Sequence, residues 1–113
     1  MPGREDERYK TDYVRTLHPA SLGCRARYRI NPERGHIGAF VVQAEIEIDG
    51  RWLAMVRYDT AHGQPHRDRL DHTGAEIDKE WLPYDFTRAF THATDDLRDN
   101  WQHYRQEFLE RMR

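Results

Sequence analysis

Three of the seven histidines in this 113-residue chain lie between Tyr58 and His72. They are His62, His66 and His72, and they share the stretch with Asp59, Asp68, Asp71, Arg67 and Arg69. Neutral histidine titrates near physiological pH, so two imidazoles held in one space can take and return a proton in a single turnover. His62 and His66 flank Gly63-Gln64-Pro65, a turn able to aim both rings together. Arg67 or Arg57 could then hold a phosphate through two parallel hydrogen bonds. Tyr58 and Arg57 stand at the end of the preceding strand. The candidate catalytic set is therefore His62, His66, Tyr58, Arg57 and Arg67, suited to metal-independent RNA cleavage. Strand alternation turns Arg67 away from His66, which favours Arg57 and Tyr58 within the set.

The same residues admit a metal site. His66 and Asp68 share a strand face, and His62 could close from the loop, which gives two imidazoles and a carboxylate. Gly63 and Pro65 forbid the regular helix that the spacing His-x-x-x-His would need in a helical zinc motif. A third reading makes the turn a rigid, polar recognition surface. The plainest reading needs no chemistry: the histidines are hydrogen-bonding turn residues, Asp59 satisfies turn amides, and Asp68 and Asp71 pair with Arg67 and Arg69 at the surface.

The segment Val56-Arg57-Tyr58-Asp59-Thr60-Ala61-His62-Gly63-Gln64-Pro65-His66-Arg67 resembles a motif of small bacterial proteins of unknown function and of TumE-type toxins of type II toxin–antitoxin systems. In those an apolar strand ends in Arg-Tyr-Asp-Asn and runs into His-Gly-x-Pro-His-Arg-His. Tyr58, Asp59, His62, His66 and Arg67 match position by position. Thr60 stands where asparagine is usual, and Asp68 where a further histidine is usual. The resemblance implies a small α+β protein with an antitoxin as possible partner and RNA as possible target.

Composition narrows the field. A net charge of -2 and a pI near 6.4 give no global attraction to nucleic acid or acidic lipid. A lone cysteine, Cys24, excludes an internal disulfide and a thiolate-rich zinc site. No apolar run reaches membrane-spanning length. The charged start, Met1 to Arg8, lacks the apolar centre of a signal peptide, so a cytoplasmic, bacterial setting is expected. No cofactor is expected, and self-association is the other partner possibility.

The elements that must position the histidine turn follow from periodicity. Residues 1–20 read as a partly disordered N-terminal arm, with Tyr13, Val14 and Leu17 spaced for one short helical piece. Residues 21–113 read as a single α+β domain. Cys24 to Ile30 alternates, with Arg25, Arg27 and Arg29 outward. His36 to Ile48 alternates too, and its Glu45 and Glu47 can pair across strands with those arginines. Asp49-Gly50 predicts a tight hairpin into a central strand over 51–58, with Trp52, Ala54, Val56 and Tyr58 on one face. Pro65 to His72 alternates again, and Ala75 to Trp81 is a short strand or extended arm. Asp85 predicts an N-cap, followed by an apolar stripe from Phe86 to Phe108. A break is possible at Thr94-Asp95-Asp96, and Trp101, Tyr104 and Phe108 could extend past the sheet as a dimer contact. The expected fold is an antiparallel β-meander of four or five strands with one long C-terminal α-helix packed on one face.

Overall fold

The computed structural model describes residues 9–113, so most of the charged tail expected at its start lies outside the described residues. The chain folds as an antiparallel meander with a C-terminal helix, and among the described residues the meander has six strands rather than four or five. These are β1 (Thr11–Thr16), β2 (Cys24–Glu33), β3 (His36–Ile48), β4 (Arg51–Asp59), β5 (His66–Leu70) and β6 (Glu76–Trp81), laid side by side in chain order. Helix α1 runs unbroken from Phe86 to Arg111. Asp85 caps it, accepting from the Arg88 amide at 2.8 Å. Thr94, Asp95 and Asp96 lie inside the helix, where the Thr94 hydroxyl donates to the Thr91 carbonyl. Among the described residues no helix is long and apolar enough to cross a membrane.

Two local expectations fail for tertiary reasons. Tyr13 and Val14 are not helical; they belong to β1, which pairs with β2 from Thr11↔Ile30 to Thr16↔Arg25. The second concerns β4. Its register with β3 shifts between Ala44↔Val56 and Glu45↔Ala54, which leaves Met55 as an extra, bulged residue. Val56 and Tyr58 therefore face the helix, whereas Trp52 and Ala54 lie on the opposite side, across from Glu47 and Glu45. The Asp49-Gly50 turn forms as expected, both residues taking left-handed φ angles of 53° and 77°.

The helix buries Ala89, Ala93, Leu97, Trp101, Tyr104 and Phe108 against Ala26, Tyr28, Phe40, Val42, Ala44, Val56 and Tyr58. The C-terminal aromatics are thus core rather than an exposed extension of the stripe. Six strands at about 4.8 Å spacing make a sheet roughly 24 Å wide, against a helix diameter of about 10 Å. One helix can cover only the middle of it, and α1 packs chiefly over β3 and β4.

The other face carries no second layer among the described residues. The registers order it in rows: Asp12, Arg29, Val41, Asp59, His66 and Trp81 form one, and Val14, Arg27, Gln43, Arg57, Asp68 and Lys79 the next. Charges alternate along these rows and pair. Arg25 donates to Glu45 at 2.6 Å while its guanidinium lies 4.0 Å over the Trp52 ring. Arg27 and Arg29 reach Asp12 on β1. The arginine row is a charge-paired sheet surface, as expected, with an acid from the strand that the sequence did not reveal.

Candidate metal centre

The loop between β4 and β5 decides which side chains meet. Thr60 anchors its start: the Phe40 amide donates to the Thr60 hydroxyl at 3.0 Å, and the Thr60 amide donates to the Phe40 carbonyl. The Asp59 carboxylate accepts from the Ala61 amide at 2.9 Å, the turn role read from the sequence. His62 and Gly63 then take consecutive left-handed conformations, φ 68° and 82°, and turn the chain back into β5. The result pairs Asp59 with His66 and Arg57 with Asp68 directly across the two strands.

On the open face this brings together Asp59, His66 and Asp68. The His66 side chain is 3% exposed, and its Nε2 lies 3.0 Å from Asp59 Oδ1 and 3.5 Å from Asp68 Oδ2. Its other ring nitrogen, Nδ1, is 3.1 Å from the Gln64 carbonyl. A carbonyl can only accept, so Nδ1 carries a proton and donates it there. Nε2 then faces two carboxylate oxygens. A proton or a metal ion among these three atoms would relieve the repulsion of their lone pairs. Each group is held by a second contact. The Ala61 amide fixes Asp59, the Gln64 carbonyl fixes His66, and Lys79 on β6 donates to Asp68 Oδ1 at 2.7 Å. That hydrogen bond pushes the Lys79 ammonium above its ordinary pKa. The Trp81 ring, 5.1 Å from that of His66, flanks the cluster at the sheet edge.

The five residues expected to form a catalytic set do not come together. His66 lies in the cluster just described with both ring nitrogens engaged. Arg57 is on the same face but leans toward β3, donating to Gln43 at 2.8 Å. His62 is exposed on its loop, as is His72 beyond β5. Tyr58 and Arg67 lie on the helix face, through the sheet from His66. There the Tyr58 hydroxyl donates to Asp96 at 2.7 Å, the Tyr104 hydroxyl donates to the same oxygen at 2.6 Å, and Arg67 donates to the Tyr104 oxygen at 3.0 Å. Burial, followed by the hydrogen bond with Asp96, pushes the Tyr58 hydroxyl far above its ordinary value. The same causes push Tyr104 up to about 12. Such groups stay protonated and hold the helix on the sheet.

The metal alternative is altered too. His66 and Asp68 share a face as expected, but Asp59 rather than His62 completes the group. Its ligand atoms lie within 4.8 Å of one another. Nor do Asp68 and Asp71 pair with Arg67 and Arg69. Asp68 is taken by His66 and Lys79, Asp71 caps its own turn through Thr73 and Ala75, and Arg69 binds Asp78 and Glu107. The signal that could have found Asp59 was parity: across a closed hairpin, Asp59 and His66 are direct partners, and Tyr58 and Arg67 must then share the other face. Asp96 and Lys79 left no comparable signal, because their contacts depend on how the helix and the last strand dock.

Over residues 4–113 the chain matches a family model described as DUF7718, a domain of unknown function, and it belongs to that family. Neither a curated protein nor a solved structure matches it.

Proposed function

We propose that this protein binds a divalent metal ion through Asp59, His66 and Asp68. The observation that carries the reading is the convergence of His66 Nε2 with two carboxylate oxygens at 3.0 and 3.5 Å. Ligands about 2.0–2.2 Å from a tetrahedral ion stand roughly 3.3 Å apart, which the two His66 separations match, with the carboxylate oxygens within 4.8 Å of one another. An imidazole whose second nitrogen donates to a backbone carbonyl is the usual arrangement of a metal-bound histidine. Two hard oxygens and one borderline nitrogen suit zinc, manganese or iron(II). Such ligands bind a metal in their deprotonated forms, so its affinity falls in acid. Calorimetric titration of the chain with Zn²⁺ and with Mn²⁺ tests this. One site per chain is expected, lost in Asp59→Asn and Asp68→Asn; no stoichiometric binding of any divalent transition metal would refute it.

One observation favours a second reading, the toxin-like, RNA-directed chemistry that the motif resemblance implies. His62 is a non-glycine residue displayed to solvent in a left-handed conformation, and such strained positions concentrate at functional sites. In this reading His62 is the acid–base group, the ion or Arg57 meets the phosphate, and an antitoxin would have to cover the same loop. Induced expression of wild type beside His62→Ala is the test. RNA loss and growth arrest only in the wild type are expected, whereas equal growth with intact RNA in both cultures would end this reading and leave metal binding untouched.

A further inference from the structure

Because one helix spans only the middle of the sheet, its two flanks close differently. On the β5 side, Arg67 and Arg69 reach up to Tyr104 and Glu107 and fill the step between sheet and helix. On the β1 side no described side chain fills the step, although Arg105 of α1 donates to the Leu22 carbonyl beyond the end of β1. A cleft of about 340 Å³ remains between the edge strand and α1, within the range of small-molecule sites. Its floor is Ala26 and Tyr28, and its wall is Leu97 and Trp101. Tyr13 stacks on Tyr28 at 4.8 Å and holds that ring flat beneath the opening.

Among the described residues the mouth offers one uncommitted guanidinium, that of Arg15. Arg15 at the end of β1 and His18 just after it line the cleft, both exposed, and neither has an ion-pair partner among the described residues. The third basic group, Arg98, is already committed to Asp95 and Asp99, which also neutralises the one acid on the rim, Asp95. An apolar floor under an unpaired guanidinium is complementary to a molecule with an apolar body and one carboxylate.

We propose that this cleft binds a small amphipathic monocarboxylate, with the carboxylate on Arg15 and the apolar body over Tyr28 and against Trp101. The site is on the helix side of the sheet and is independent of the metal proposal. The test is a titration of the full chain with hexanoate, hexanol and hexylamine, followed by NMR shifts of the Ala26 methyl and the Trp101 indole, with Arg15→Gln alongside. Expected are saturable shifts at both positions with hexanoate, at least tenfold weaker with hexanol and absent with hexylamine. In Arg15→Gln, whose changed side chain is on the surface, hexanoate should weaken about tenfold to the level of hexanol. Equal affinity for the acid and the alcohol, an unchanged affinity in Arg15→Gln, or shifts that spare the cleft would each overturn the proposal.

Discussion

Strand β5 carries two polar clusters, one on each face, and they differ in what the rest of the fold asks of them. Toward the helix, Arg67 and Arg69 meet Tyr104, Asp78 and Glu107. Away from it, His66 and Asp68 meet Asp59 and Lys79. The first cluster has an architectural explanation, since it seals the flank of a helix too narrow for its sheet. The second seals nothing, because no layer lies above it among the described residues, yet its histidine is as deeply buried as much of the core. Buried ionisable groups without a packing reason are the ones to suspect of binding. The contrast is sharp because both clusters draw on four consecutive residues, His66 to Arg69.

The comparison breaks first, and most severely, at Asp96. Asp96→Ala strands the hydroxyls of Tyr58 and Tyr104 at the helix–sheet junction, and about 2–4 kcal/mol of unfolding free energy should be lost in denaturant titration. Adding Tyr58→Phe should recover part of it, since removing both partners costs less than removing one. The open face should respond next, and only to metal. At a hundredfold excess over its Kd, Zn²⁺ should stabilise the wild type by about 2.7 kcal/mol. It should leave Asp59→Asn unchanged in a thermal melt. If the helix-side variants lost the zinc response as well, the two clusters would be one coupled system.

Arg69→Met keeps the stem and removes the charge that Asp78 and Glu107 share. The site is partly solvated, so a loss of about 1 kcal/mol is expected, with zinc affinity unaltered. The last effect is a pH dependence confined to the helix side. Tyr104 has its pKa raised from 10.0 to about 12. Its contribution is therefore complete below pH 10 and disappears as pH rises toward about 12, because the unfolded chain releases the proton first. Stability of the wild type should fall across that window, and Tyr104→Phe should flatten the fall; an identical slope in the variant would show that other groups govern it.

Much of this was legible in the residues. The alternation of Cys24 to Ile30 and of His36 to Ile48, the Asp49-Gly50 turn and the Asp85 cap each report a local rule that the fold obeys. The failures are where the deciding contact is distant. Strand β1 is exposed along its length and owes its form to hydrogen bonds with β2, so the spacing of Tyr13, Val14 and Leu17 carried a misleading helical signal. At the turn, the histidines drew attention by their type, whereas convergence followed from parity. Asp59 was read only as a turn acceptor, and Tyr58 and Arg67 were grouped with a histidine on the far side of the sheet. Residue chemistry proposes a site, but sheet geometry selects its members.

The extra residue at Met55 has a consequence for how this hairpin can change over generations. It sets Arg51–Ala54 out of phase with Val56–Asp59, so that Trp52 lies outward while Tyr58 lies inward. Losing Met55 would restore plain alternation and leave Trp52 outward and Leu53 and Tyr58 inward, at the cost of one buried side chain. Strand β3 already pairs as if β4 were one residue shorter, so the hairpin can lose its bulge without any matching change in β3.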